Sequence, residues 1–306
     1  MAADEQLTGV RPGRGRQTAK KEKEAPTAMI ERDVEIVVES LGSSGQNAPK
    51  NILIHGPSGH GKTLLAGGAF NGDRAGVFLS TEVEGIASAR AVGSQAELIR
   101  CPDWEHAIGG VRWAERELGP EDWLVVDSGT IMQEMYMQWI LDTENKLNPS
   151  RDLDIPAIQN HQKYQNGFKR WARRLISAQF NLIFITTSMA VDDGEDELIV
   201  PLLLGKKGEI SSAISSQFSV AIYYAVARES REMTGPVTRR ALCQPYPPWY
   251  AKDRYRALGK FWDVPEDDYW QMARMIEAIE EAVRKGETGN GGRRARRTSR
   301  PRRPAA

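Results

Sequence analysis

Apolar residues in this chain fall into short runs set between longer stretches of helical periodicity. Asn51–His55 (NILIH), Ala75–Ser80 (AGVFLS), Ala96–Cys101 (AELIRC), Trp123–Asp127 (WLVVD) and Asn181–Thr187 (NLIFITT) read as strands. Ser219–Ala227 (SVAIYYAVA) and Val237–Cys243 (VTRRALC) predict a further, antiparallel pair. Helices are expected over 62–70, 103–118, 129–143, 158–179 and 268–284. Strands apolar on both faces and separated by helices predict an α/β fold, a mainly parallel sheet with helices on both faces. No internal repeat interrupts this alternation.

The ends of the chain have a different texture. Residues 1–27 are polar and mixed in charge, and 285–306 are low in complexity and rich in arginine, so both are expected to be disordered. One folded domain over 28–284 is left between them. The whole chain nets zero charge, but the tail carries +7 and the arm +2, which leaves the body at −9. Attraction to nucleic acid must therefore come from the tail or from a local patch. Hydrophobic residues at 40% and charged residues at 27% suit a folded soluble core. Two cysteines, Cys101 and Cys243, are too few for a disulfide framework and point to a reducing, cytoplasmic setting. No apolar run reaches the ~18 residues of a membrane span, and no apolar leader marks the N-terminus. The four histidines are scattered, with no metal-ligand spacing to the cysteines.

The chemistry concentrates at Gly56-Pro57-Ser58-Gly59-His60-Gly61-Lys62-Thr63, which matches G-x-x-x-x-G-K-[ST]. It follows a strand and precedes a helical run, the context the motif requires. Its glycines let the backbone curl so that N–H groups face phosphate oxygens, and the following helix start adds partial positive charge. Lys62 is expected to reach the β- and γ-phosphates of ATP, and Thr63 to hold Mg2+. His60 reads as a spacer. WLVVD ends in Asp127, which would meet the same magnesium at the carboxyl edge of the sheet. Ser128 follows Asp127 where a catalytic Glu would be useful, so the base for the attacking water must lie elsewhere. Glu82, just past AGVFLS, is the candidate if its strand lies next to the phosphate-loop strand; Glu84 competes with it.

In this order, the phosphate loop, FLSTE, LVVDS and NLIFITT resemble the RecA-type branch of P-loop ATPases. The closest resemblance is to phage RecA-like nucleotide-binding proteins, the Sak-type single-strand annealing ATPases, over residues 48–262. It implies a RecA-like core, ATP hydrolysis with Glu82 as base, and a γ-phosphate sensor at the end of NLIFITT. RecA carries Gln at that sensor position; this chain has Thr186, Thr187 and Ser188, with Thr187 the candidate. Trp249–Tyr255 (WYAKDRY) resembles the Lys-x-Arg element of RecA-like hexameric helicases, which implies that Lys252 and Arg254 reach the γ-phosphate held by a neighbouring subunit. Such a protein is a homo-oligomer with shared sites.

The resemblance also implies single-stranded DNA as a partner, handled in recombination or annealing in a bacterial host's cytoplasm, with no membrane involved. The alternatives are a helicase or translocation motor on the same core, or an ATP-binding annealer with negligible turnover. Of the stretches matching RecA's DNA loops, 144–160 is barely basic, with Lys146 and Arg151 against Glu144, Asp152 and Asp154, and 189–210 is acidic before Lys206 and Lys207. The helix over 158–179 offers Lys163, Lys169, Arg170, Arg173 and Arg174, and 245–270 is rich in aromatic residues expected mainly to pack the core. The arginine tail is the strongest electrostatic handle.

Overall fold

The computed structural model describes residues 48–291 apart from 73, 83, 150–155, 193, 195–196, 204–208, 228–237 and 266–267, with the side chains of 209 and 286–291 also outside the description. The arm 1–27, the stretch beyond 291, and the middles of both loops expected to meet DNA, Lys206 and Lys207 included, lie outside the described residues.

The first half of the fold runs β1 (Asn51–His55), α1 (Lys62–Gly67), β2 (Gly76–Ser80), α2 (Ile86–Ala91), β3 (Glu97–Arg100), α3 (Trp104–Glu117), β4 (Trp123–Asp127) and α4 (Gly129–Leu147). Then come α5 (Ile158–Ile176), β5 (Asn181–Thr186), β6 (Ser188–Asp192), β7 (Glu197–Pro201) and α6 (Glu209–Ser215). The chain closes with β8 (Val220–Ala227), β9 (Thr238–Leu242), β10 (Lys252–Asp253), β11 (Phe261–Val264) and α7 (Gln271–Gly291). All seven strands expected from the apolar runs form. Nine strands make one sheet in the order β11-β9-β8-β1-β5-β4-β2-β3, with β10 pairing β8. From β8 to β3 every neighbouring pair is parallel, while β9 runs antiparallel to both its neighbours, β8 and β11. β6 and β7 form a separate hairpin.

The strands are apolar on both faces because the sheet separates two cores. Leu53, Leu124, Val126, Leu182 and Phe184 point into one, with Val111 of α3, Met132 of α4 and Phe168 of α5. Ile52, Ile54, Val125, Ile183 and Ile185 point into the other, with Leu65 of α1, Ile86 of α2 and Ile279 of α7. Each buried aliphatic side chain contributes about 1.5–3 kcal/mol, so a polar residue inside these runs needs a specific partner. His55, Asp127 and Thr186 stand at the ends of β1, β4 and β5, all at the carboxyl edge. Ser128 then caps α4 by accepting from Ile131 N at 3.4 Å, which starts a helix immediately after Asp127.

Two features differ from the expectation. β2 does not neighbour β1: β5 and β4 lie between them, and Ser80 pairs with Asp127. Nothing in the strand sequences encodes lateral order, since all the central strands are equally apolar. The structure also adds β6, β7, β10, β11, α2 and α6. Each is too short or too exposed to produce a periodic signal. Among the described residues no helix is long and apolar enough to cross a membrane.

Candidate nucleotide site

The loop between β1 and α1 is shaped by close backbone approach. A Cβ on Gly56 would sit 2.0 Å from the carbonyl oxygen of Tyr224 on the neighbouring β8, so only glycine fits there. Gly61 has φ 88°, a left-handed conformation that favours glycine, and its carbonyl accepts from Leu65 N at 2.9 Å to open α1. No side chain caps that helix start, which leaves backbone N–H groups at the loop's end for a ligand. His60 is more than a spacer. Its Nδ1 accepts from Val226 N at 3.0 Å, fastening the loop to β8.

Lys62 is only 8% exposed. Its ammonium donates to Gly56 O at 3.0 Å and Pro57 O at 2.7 Å. Burial lowers its pKa, against the opposing pull of Asp127 and Glu82. It has no carboxylate salt bridge among the described residues, so a phosphate can take it from neutral carbonyls. Thr63 Oγ1 donates to Asp127 Oδ2 at 2.7 Å, bringing together the two residues expected at magnesium. Burial pushes the Asp127 carboxyl up to about 6; the Thr63 hydrogen bond opposes this, Glu82 adds to it and Lys62 opposes it. A buried carboxylate with one neutral donor is an incompletely compensated charge. A hard divalent cation would complete it, and the two oxygens suit magnesium.

Glu82 reaches this cluster although β2 is not beside β1. Thr81 N donates to Asp127 O at 2.9 Å, and Glu82 follows, exposed, with its own N–H and carbonyl tied to the Ser80 hydroxyl. It acts electrostatically on both Asp127 and Lys62, whereas no such coupling links Glu84 to either. Glu82 thus presents an exposed carboxylate whose charge acts on the buried Lys62–Asp127 pair.

The three polar residues that close β5 and open β6 differ in their surroundings. Thr187 lies at the same edge, one residue beyond the His55–Thr186 pairing. Its N–H donates to Thr130 Oγ1 at 3.1 Å, and the two hydroxyls are 3.3 Å apart. A sensing role would therefore compete with α4 for the Thr187 hydroxyl. Thr186 Oγ1 is buried and, among the described residues, has no hydrogen-bond partner. Ser188 Oγ is 2.9 Å from His55 Nδ1, and His55 Nε2 is 2.7 Å from the Tyr250 carbonyl. A carbonyl only accepts, so Nε2 carries the proton and Ser188 donates to Nδ1. Burial drives the His55 pKa down to about 4; the Tyr250 bond opposes this and Lys62 adds to it. Sequence reasoning passed over His55; a polar residue closing an apolar strand directly before the loop was the available signal.

Lys252 and Arg254 are elsewhere. Arg254 N donates to Ser219 O, level with the start of β1, while Lys252 pairs with Ala221, opposite Leu53 in mid-strand, and extends its ammonium to Ser216 O at the same end as Arg254. The four residue steps from Asn51 to His55 span roughly 13 Å, so this pair lies at the opposite end of the sheet from its own phosphate loop. Lys252 Nζ and Arg254 Nη2 both donate to Ser216 O, at 2.8 and 2.6 Å. Neither has a carboxylate partner among the described residues. Burial first, then Arg254, lowers the Lys252 pKa to about 8.

The remaining basic and aromatic candidates divide. On α5, Lys163 pairs with Glu144 and Arg174 with Glu115, while Lys169, Arg170 and Arg173 have no carboxylate partner among the described residues. Tyr255 and Trp262 pack against the core, as expected, but Tyr246 and Phe261 are over 40% exposed, with Lys260 3.7 Å above the Tyr246 ring.

No curated protein matches the chain. A family model described as AAA domain matches residues 48–255, a span that begins just before β1 and takes in the phosphate loop, Glu82, Asp127, Thr187, Lys252 and Arg254. Families of this type are P-loop NTPases, whose domains bind nucleotide with magnesium. With well over half of its length matched, the phosphate loop and Asp127 included, the chain belongs to this AAA domain family.

Proposed function

We propose that this chain is a RecA-like ATPase of the phage single-strand annealing type, acting on single-stranded DNA as a homo-oligomer. The observation that carries the ATPase reading is the convergence of Lys62, Thr63, Asp127 and Glu82 at one sheet edge. Loop N–H groups and Lys62 hold the triphosphate of ATP. Magnesium, when held by Thr63 and Asp127, neutralises charge on the phosphates. Water attacks the γ-phosphorus, the bond to the β,γ-bridging oxygen breaks, and ADP and phosphate result. Glu82 takes the proton from that water. Lys252 and Arg254 of a neighbouring copy stabilise the charge that develops. Their lack of a carboxylate partner and their distance from their own loop support this arrangement. Thr187 reports the γ-phosphate by exchanging its Thr130 bond. The DNA half of the reading is supported by the +7 tail and by the unpaired cations of α5.

The test is ATP turnover by wild type and Lys62→Ala, with and without single-stranded DNA. Wild-type turnover that rises with DNA and vanishes in Lys62→Ala is expected. Tight ATP binding without turnover would replace the ATPase reading with the structural annealer, and DNA unwinding would replace it with the motor. Full turnover by Lys62→Ala would overturn the phosphate-loop assignment.

A further inference from the structure

Two arginines follow one another on β9, and the pleat sends them to opposite faces. Arg240 is exposed and donates from Nε to Asp263 Oδ1 at 2.6 Å. Arg239 lies opposite Val226 on β8 and Val264 on β11, on the face that carries α1. A Cβ built on Gly61 would lie 3.2 Å from Arg239 Nε, 3.7 Å from its Cδ and 3.8 Å from its Cζ. The base of the guanidinium therefore packs on the last glycine of the phosphate loop, directly before Lys62. Val226, the cross-strand partner of Arg239, is the residue that donates to His60. The β8–β9 pair thus meets two successive loop residues, one by hydrogen bond and one by contact.

Arg239 Nε is buried and, among the described residues, has no hydrogen-bond partner. Among the described residues no carboxylate pairs with its guanidinium. It acts on the buried Tyr224 hydroxyl, which also lacks a hydrogen-bond partner among the described residues. A buried cationic N–H without an acceptor is costly, and in a native site it calls for an acceptor from outside the chain. Charge leads to the same place. The loop supplies one cation, Lys62, while Asp127 and Glu82 are negative and Lys252 and Arg254 sit at the far end of the sheet. An incoming triphosphate needs more positive charge than Lys62 provides, and a guanidinium offers phosphate oxygens a planar fork.

We infer that Arg239 is a nucleotide-binding residue, whose guanidinium contacts the phosphate chain of a nucleoside triphosphate bound at its own subunit's loop. The inference rests on the phosphate-loop reading above, and the experiment separates the two. Calorimetric titration of the full chain uses magnesium ATP and, separately, inorganic triphosphate, which has neither base nor ribose. Arg239→Gln should weaken both ligands by about 10–100-fold, Arg239→Lys should weaken them less, and Arg240→Gln should bind both like wild type. The urea midpoint of ligand-free Arg239→Gln should not fall below that of wild type, because the variant removes an unsatisfied donor rather than a bond.

Wild-type affinity of Arg239→Gln for both ligands, together with loss of binding in Lys62→Ala, would overturn the role of Arg239 and leave the loop assignment standing. Weakening confined to ATP would overturn the phosphate contact, since triphosphate presents only phosphate. Should Arg239→Gln fail to fold, Arg239→Lys decides: wild-type affinity for both ligands would overturn the forked contact. Failure of the wild-type protein to bind either ligand would overturn the loop reading and the role of Arg239 with it.

Discussion

The two ends of the parallel sheet hold charge in opposite ways. At the carboxyl edge, Lys62, Thr63 and Asp127 are drawn inward and bonded to one another or to the loop. At the amino edge, Lys252 and Arg254 stand side by side and share one carbonyl oxygen. The first arrangement is organised within the chain and needs only a small ligand to complete it. The second holds two cations together against their repulsion, with no anion to compensate them among the described residues. Their bonds to Ser216 O close the end of α6 but leave the pair's charge uncompensated, and in the proposed oligomer an anion presented by another copy would compensate it. A carboxyl-edge site of one copy and an amino-edge pair of the next together contain what phosphoryl transfer requires.

The largest effect should come from breaking the amino-edge half alone. Arg254→Ala should lower ATP turnover in the assembled oligomer by about 10³–10⁵-fold, the range of an arginine finger. The equilibrium affinity of the loop for ATP should change little. Arg254→Lys should recover little turnover, because a point charge does not replace a fork. Normal turnover in Arg254→Ala would remove the amino edge from the chemistry.

Next comes the proton acceptor of the carboxyl edge. Glu82→Gln should cut turnover by roughly 10²–10⁴-fold while ATP still binds. Glu84→Gln should leave turnover near wild type, because Glu82 is the acid whose charge acts on Asp127 and Lys62. The reverse pattern would transfer the base to Glu84.

A smaller effect concerns how the carboxyl edge is supported. His55 has a folded pKa of about 4, below its ordinary 6.5, so the fold favours the neutral ring. Its contribution to stability is complete above pH 6.5 and is lost as the pH falls toward 4, where the unfolded chain binds a proton that the folded chain refuses. The difference amounts to about 3 kcal/mol. Asp127, whose folded pKa of about 6 lies above its ordinary value, gains stability over the same fall in pH, so the two proteins are compared: from pH 7 to 4, denaturant unfolding should show wild type losing about 3 kcal/mol relative to His55→Phe. Equal slopes would mean that His55 is not held neutral between Ser188 and Tyr250.

Sequence pattern made the carboxyl edge readable and left the rest obscure for physical reasons. The phosphate loop is contiguous, so one motif carries Gly56 through Thr63, and the two-core sheet needs strands apolar on both faces, which NILIH, WLVVD and NLIFITT display. Lateral order is different. β1, β4 and β5 are interchangeable as sequences, so the separation of β2 from β1 could not be seen, although Glu82 still arrives at the site through the Ser80–Asp127 pairing. Arg239 and Arg240 are indistinguishable in VTRRALC; only register decides which meets the loop. Lys252 and Arg254 were visible as a pair, but their place at the far end of β8 depends on β10, a two-residue strand with no periodicity to read.

The most direct measurement of the central claim is ATP turnover by mixtures of two inactive variants, Glu82→Gln and Arg254→Ala, under conditions where labelled subunits are seen to exchange. Some interfaces in the mixture pair an intact Glu82 with an intact Arg254 from the adjacent copy. Turnover well above that of either variant alone is the expected result, since even a minor fraction of repaired interfaces would exceed a background reduced by about 10³-fold. A mixture that exchanges subunits and stays as inactive as its components would contradict a site built from the two ends of the sheet in neighbouring copies.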